Sequence, residues 1–187
     1  MSHDPLRLAI IVGSTRPGRF GDVVARWFVG QAEQRDDMVL DVIDLAKLEL
    51  PATIPSGPDP AVAAYATRID RADAFVVVTP EYNHGYPAPL KQAIDLARVE
   101  WRAKPVGFVS YGGMSGGLRA VEQLRQVFPE VHATTVRDTV SFHMAPTRFD
   151  GDGDPIDPDG CNAAAATMLD QLAWWGNALR VARLASV

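Results

Sequence analysis

The feature that most constrains this chain is a series of apolar runs, each about one strand long, alternating with segments whose apolar residues recur at helical spacing. The first run, Leu6–Val12, is interrupted only by Arg7. Such a run belongs to a strand covered on both faces, as in parallel sheets flanked by helices. Phe20, Val23, Val24, Trp27 and Phe28 then share one helical face, with Asp22, Arg26 and Gln31 on the other. A strand at Val39–Ile43, a proline-rich connection from Pro51 to Pro60 and a helix marked by Val62, Ala66 and Ile69 lead to a strand at Phe75–Thr79. Leu90, Ala93, Ile94 and Ala97 mark the next helix, expected over Ala88–Arg98 and entered through Pro87 and Pro89, which a first turn tolerates. A strand at Pro105–Ser110, a stripe of Leu118, Val121, Leu124, Arg125 and Phe128, and a β-rich region at Thr134–Phe142 follow. Met168, Leu169, Leu172, Trp175, Gly176 and Leu179 describe a long terminal helix. Five strands with four or five helices predict an α/β, doubly wound parallel sheet with helices on both faces; the expected order is 2-1-3-4-5, which periodicity alone does not fix. Neither a repeat nor a dividing linker interrupts it, so residues 1–187 read as a single domain.

A length of 187 residues suffices for one substantial core. The chain carries a net charge of −5 and no lysine/arginine run, which argues against nucleic acid or an anionic membrane as its main partner. No apolar stretch approaches the roughly 18 residues needed to cross a bilayer. The polar opening Met1-Ser2-His3-Asp4-Pro5, before an apolar run of only strand length, lacks the form of a signal peptide. The lone Cys161 excludes an internal disulfide and cannot by itself supply a cysteine metal site. A cytoplasmic location is expected.

Three loops carry the chemistry, each after an apolar strand, where open α/β sheets bind ligands. Gly13-Ser14-Thr15-Arg16-Pro17-Gly18-Arg19 leads into a helix. Unpaired N–H groups at a helix amino end, two hydroxyls and two arginines suit a phosphate. The loop matches neither the Gly-x-x-x-x-Gly-Lys-Ser/Thr nor the Gly-x-Gly-x-x-Gly pattern. Turn chemistry alone also enriches such loops in glycine, serine and proline. Pro80-Glu81-Tyr82-Asn83-His84-Gly85 offers an aromatic ring, an amide and loop N–H groups suited to a flat polar ring, and turn chemistry does not require that order of residues. The plainer readings are an ion pair for Glu81 and a loop histidine for His84. The third loop, Ser110-Tyr111-Gly112-Gly113-Met114-Ser115-Gly116-Gly117, has a glycine content that suggests backbone close to a ligand, or else a flexible loop.

Gly13-Ser14-Thr15-Arg16, Pro80-Glu81-Tyr82-Asn83 with Leu90-Lys91-Gln92-Ala93-Ile94-Asp95, and the Gly112–Arg119 region together resemble the NADPH-dependent FMN reductase family, over residues 6 to 140. The resemblance implies a flavodoxin-like fold, with FMN held by its phosphate on the first loop and by its isoalloxazine on the other two. Ser14 and Arg16 match phosphate contacts, and Arg19 and Phe20 complete the candidate cofactor-binding set on that loop. Pro80, Glu81, Tyr82 and Asn83 match the ring-binding loop; Ser110, Gly112 and Gly113 match the third. Hydride would pass from NADPH or NADH to flavin N5, and electrons then to a quinone, free flavin, azo compound or similar acceptor. No side chain is assigned a catalytic role, because the cofactor carries that chemistry.

Two positions depart from the family pattern. Members often carry a serine where Arg19 stands and an asparagine where Gly21 stands, both phosphate contacts. Arg19 either replaces them electrostatically or points to solvent. A flavodoxin-like electron carrier with a protein partner, or a binding module without flavin, are the competing readings.

The family's habit of pairing near the flavin implies a homodimer or homotetramer. Tyr82, Tyr86 and Trp101 supply apolar surface for burying the Tyr82–Trp101 segment between subunits. Trp27, Trp101, Trp174 and Trp175 are read as core or interface residues. Asp150, Asp152, Asp154, Asp157 and Asp159 superficially resemble a calcium loop, but Pro155 replaces the required glycine and Cys161 the bidentate glutamate, so a solvated acidic turn is expected. His3, His132 and His143 lack metal-ligand spacing.

Overall fold

The computed structural model describes residues 4–185, so His3 lies outside the described residues. The sheet is built from β1 (Leu6–Val12), β2 (Met38–Asp44), β3 (Ala74–Pro80), β4 (Pro105–Tyr111), β5 (Thr134–Thr135) and β6 (Val140–Phe142). The helices are α1 (Gly21–Ala32), α2 (Pro60–Arg71), α3 (Ala88–Leu96), α4 (Leu118–Glu130) and α5 (Pro158–Ala185). Strand order is β2-β1-β3-β4-β5 and every pairing is parallel, as the alternation predicts.

The pleat of β1 shows why its run is apolar on consecutive residues. Leu6, Leu8, Ile10 and Val12 join one core cluster with Val24 and Phe28 of α1 and Met168 and Leu172 of α5. Ala9 and Ile11 join the opposite cluster, with Ile69 of α2, Ile94 of α3 and Leu124 of α4. Each large side chain so buried contributes about 1.5–3 kcal/mol. The sheet is thus sandwiched between two helices on one side and three on the other.

Two details depart from the sequence expectation. The fifth strand is split into β5 and β6. Pro105 pairs with Thr134 and Val109 with Val140, so the outer strand takes two residues more than β4 over that stretch, as in a bulge. Arg125 of α4 steadies this bulge by donating to the carbonyls of Val136 and Arg137 at 2.8 and 2.9 Å. That is why an arginine interrupts the apolar stripe of α4.

Helix α3 stops at Leu96 rather than Arg98. The Trp101 indole donates to Ile94 O at 3.1 Å, the carbonyl that the N–H of residue 98 would take in a longer helix. Arg98 N–H donates to the Glu100 carboxylate instead. Trp101 is 0% exposed and packs against Phe75 and Phe128, so it offers no surface to a partner. The tryptophans divide: Trp27 is also buried, whereas Trp174 is 66% exposed and Trp175 partly so. In the acidic stretch, the Asp150 carboxylate accepts the N–H groups of Asp152 and Asp154, and Arg26 donates to Asp152 O.

Candidate functional site

The loops after β1, β3 and β4 meet at the carboxyl ends of three adjacent strands. In the first, Gly13 N–H still donates to Val78 O at 2.9 Å, so the chain leaves the sheet at Ser14. Arg16-Pro17-Gly18-Arg19 forms a turn closed by Arg19 N–H to Arg16 O at 3.2 Å. Proline second and glycine third, with Gly18 at φ +65°, is the type II pattern. The turn leaves the N–H groups of Thr15, Gly18 and Phe20 without acceptors among the described residues, at the amino end of α1. Arg16 is exposed and its guanidinium has no partner there either.

Arg19 does not point to solvent, the second of the two alternatives that the sequence leaves. Its side chain is 7% exposed and turned inward, with an ion pair to Asp44 at 2.7 Å and another to Asp22 at 2.6 Å. It also donates to Ser14 O. The bond to Asp44 holds the guanidinium proton more tightly than usual despite burial. Burial alone would raise the Asp44 carboxyl, but Arg19 and the Ala46 N–H outweigh it and hold Asp44 below its ordinary range. Arg19 thereby braces the loop from beneath. Phe20 packs its ring on Tyr111 and, edge-on, on Phe149.

The second loop is a tight reversal. Tyr82 and Gly85 exchange N–H···O bonds at 2.8 and 3.0 Å around Asn83 and His84, whose φ values are +50° and +69°. Two consecutive residues with positive φ form a type I′ turn, a conformation asparagine accepts better than most residues. Turn chemistry therefore does account for Asn83, contrary to the sequence reading. The N–H groups of Asn83 and His84 have no acceptor among the described residues. Pro80 is buried at the end of β3. Tyr82 Oη lies 2.7 Å from Ser14 Oγ, tying this loop to the first.

Glu81 reaches the third loop and the start of α4. Its carboxylate accepts Arg119 Nη1 at 2.9 Å and Arg119 N–H at 3.2 Å. Burial would raise the carboxyl, but Ser115 and Arg119 hold it below its usual range. Gln123 secures the same hairpin by donating to His84 O at 2.7 Å.

In the third loop, Ser110 Oγ is buried and donates to Gly116 O at 2.8 Å. Gly117 sits at φ +88°, and a Cβ there would lie 2.6 Å from the Ser110 Cβ, so no other residue fits without a shift. Gly112 N–H goes to Phe142 O and Gly116 N–H to Gly113 O, while the N–H groups of Gly113, Met114, Ser115 and Gly117 have no acceptor among the described residues. The segment after β6 clamps the loop from outside. Met144 N–H donates to Gly113 O, Ala145 N–H to Gly112 O, Ser141 Oγ to Gly116 O, and His143 Nδ1 lies 2.8 Å from Met114 O.

The candidate residues thus gather at one mouth in two roles. Arg16, Asn83 and Gly113 keep polar groups without protein partners, Ser14 and Tyr82 link the first two loops, and Arg19, Phe20, Pro80, Glu81, Ser110 and Gly112 hold the loops in place. The sequence reading missed Asp44, Arg119, Ser141 and His143, whose tasks depend on partners distant along the chain. It also missed Tyr111, visible only as a polar aromatic at the very end of a strand.

A doubly wound parallel sheet with donor-rich loops at three adjacent strand ends defines a mononucleotide-binding α/β protein. Comparison narrows the class: residues 6–147 match the family described as NADPH-dependent FMN reductase. Among relatives, the "Probable NADPH:quinone oxidoreductase 2" of Oryza sativa subsp. japonica is 34% identical over 168 residues, covering 84% of this chain and 83% of that one. The FMN-dependent NADPH-azoreductase of Staphylococcus haemolyticus (strain JCSC1435) is 29% identical over 175 residues, covering 87% and 91%. In fold, the chain is similar to the flavoenzyme NAD(P)H:(acceptor) oxidoreductase from Paracoccus denitrificans, with a TM-score of 0.74 at 23% identity, over 92% of this chain and 97% of that one. The chain belongs to the NADPH-dependent FMN reductase family, and with that it is an oxidoreductase that uses FMN and a nicotinamide nucleotide.

Proposed function

We propose that FMN lies across the three loops and that the protein passes reducing equivalents from NAD(P)H, through it, to a quinone or a similar flat acceptor. The observation that carries this reading is that all three linked loops hold N–H groups without acceptors beside the unpartnered Arg16: Thr15, Gly18 and Phe20 in the first, Asn83 and His84 in the second, and Gly113, Met114, Ser115 and Gly117 in the third. The donor set fits the cofactor. A phosphate suits the helix amino end beside Arg16, and the N and O edge of a flat ring suits donors from two further loops.

FMN, when bound, supplies the hydride-accepting and electron-releasing chemistry. The chain's own residues bind and orient. Arg16 meets the phosphate charge, with the fold of its loop fixed by Arg19 on Asp44. The Ser14–Tyr82 bond fixes the distance between phosphate loop and ring loop. Asn83 and Gly113 N–H groups favour negative charge on the ring edge they face. Pro80, Glu81 and Ser110 set the positions of those donors, Glu81 through Arg119.

A quinone acceptor is supported by the name of the Oryza relative and an azo acceptor by that of the Staphylococcus relative. The same reading takes residues 1–187 as one domain, and the protein as a cytoplasmic homodimer or homotetramer. One continuous sheet supports the first. No described helix is long and apolar enough to cross a membrane. The exposed Trp174, Val181 and Leu184 on α5 supply apolar surface for self-association, in place of the buried Trp101.

Anaerobic titration tests the function. The purified protein should be yellow, NADPH should bleach it, and a quinone should restore the colour. Binding of FMN without bleaching by either nicotinamide would make it an electron carrier. Failure to bind FMN would overturn the reading altogether.

A further inference from the structure

Position 21 is the first residue of α1, the helix whose amino end carries the phosphate loop, and it is a glycine. A Cβ there would lie 2.5 Å from Tyr111 Oη and 3.4 Å from Tyr111 Cζ. The phenol at the end of β4 therefore occupies the space that a side chain on the helix's first residue would enter. Tyr111 is only 5% exposed, and its ring centroid lies 6.4 Å from that of Phe20, on the same loop. Ser14 can accept from Tyr82 at 2.7 Å and pass its single hydrogen to the Tyr111 oxygen, which leaves the phenol's own hydrogen to donate elsewhere. The buried hydroxyl is thus left with donor capacity at the mouth. The loop that leads into Gly21 carries the N–H groups of Thr15, Gly18 and Phe20 without acceptors, while the guanidinium of Arg19 faces Asp44 and Asp22.

Resting on the placement of FMN argued above, we propose that Tyr111 is a phosphate-binding residue of this chain. Its hydroxyl reaches the amino end of α1 from β4 and donates to the cofactor's phosphate, and Gly21 is small so that it can. Gly21 and Tyr111 are then a matched pair, joining two separate strand ends in one anion site. Burial pushes the phenol well above its ordinary range, and neighbouring Tyr82 adds to this, so the group stays protonated and able to donate throughout the working pH range.

Riboflavin carries the ring without the phosphate, so the ratio of FMN to riboflavin affinity isolates the phosphate contacts. Both constants are measurable by fluorescence titration of the purified apoprotein. Tyr111→Phe should weaken FMN by about tenfold, as for loss of a hydrogen bond to a charged group, and leave riboflavin within about twofold. Gly21→Ala should also lower FMN affinity in the native background. It should have little effect in the Tyr111→Phe background, where the close oxygen is gone. Equal losses for FMN and riboflavin, or none, would overturn the proposal, as would additive effects of the two substitutions. Arg16→Ala separates this from the broader reading. If it abolishes the preference for FMN while Tyr111→Phe does not, only Tyr111 falls. If neither changes the preference, the phosphate does not lie on the first loop.

Discussion

The two ends of the sheet are both polar and both strained, yet they are built to opposite purposes. At the amino end, Asp73 accepts Arg7 N–H at 3.2 Å and pairs with Arg183 at 2.7 Å and Arg180 at 3.6 Å. Arg183 also donates to Ala103 O, and Arg180 to the carbonyls of Asp4 and Pro5. Lys104 places its amine on the carbonyls of Ile69 and Asp70, closing the carboxyl end of α2, and burial pulls that amine down to about 8. Even the left-handed residues Ala103 and His132 are joined, by an N–H···O bond of 2.9 Å. At the carboxyl end, Asn83, His84, Gly116, Gly117 and Met144 also have positive φ, and Arg19, Glu81 and Ser110 are as firmly bonded as anything below. What differs is convergence: the three loops at this end are bonded to one another, Ser14 to Tyr82 and Glu81 to Arg119, and they carry open N–H groups together with an unpartnered arginine, Arg16. Strain and buried polarity alone do not mark a site here, and neither do open N–H groups, which Gln34, Asp36 and Lys104 also leave at the amino end; their combination with Arg16 on linked loops does.

The largest effect expected from this contrast is at the closed end. Asp73→Ala removes the carboxylate that two arginines and the Arg7 N–H share, leaving the arginines only carbonyl acceptors. It should lower unfolding free energy by about 3 kcal/mol, the cost of removing one partner of a buried pair. Denaturant titration measures this. FMN affinity of the folded protein should be unchanged, and a tenfold loss there would show that the two ends are coupled. The converse holds for Arg16→Ala at the open end. FMN binding should weaken by about 1.5–3 kcal/mol, while stability moves by less than about 0.5 kcal/mol, as for an exposed residue without partners. A fall in stability matching the fall in affinity would mean that Arg16 belongs to the fold rather than to the site.

This contrast also explains what was legible in the sequence. Strand burial on both faces, helix faces and the position of each loop follow from local spacing, whereas the alternation gives a parallel sheet without fixing the order of its strands. The turn at Arg16–Arg19 is likewise local, because Pro17 and Gly18 specify it. What the sequence hid were pairings across the fold. The partner of Arg19 is hidden because Asp44 lies on the next strand over, and Glu81 reads as a ring-loop residue or an ion pair without its partner being identifiable, because Arg119 is on α4. Trp101 resembled surface because the helix carbonyl that takes its indole proton cannot be inferred from periodicity. The bulge between β5 and β6 rests on Arg125, which reads only as a flaw in an apolar stripe.

The smallest effect concerns Glu81, the one candidate at the open end whose carboxylate is closed in the manner of the amino end. Its carboxyl lies below the ordinary 4.5 because Ser115 and Arg119 outweigh burial. A folded value below the unfolded one means that the unfolded chain binds more protons as the carboxyl titrates. The stabilisation is therefore present above about pH 4.5 and is lost as pH falls through the lower, folded value. Arg119 is about half exposed, so the pair contributes only about 1 kcal/mol. Glu81→Gln keeps an oxygen for Arg119 N–H and removes the charge. Native and variant proteins should accordingly differ by about that amount at pH 7 and converge as pH falls below 4.5, in parallel denaturant titrations. If the gap persists undiminished at pH 3.5, the charge of Glu81 is not what holds the hairpin to α4. The bond from Gln123 to His84 O would then be the contact that positions Asn83, and the open end would resemble the closed one less than its geometry implies.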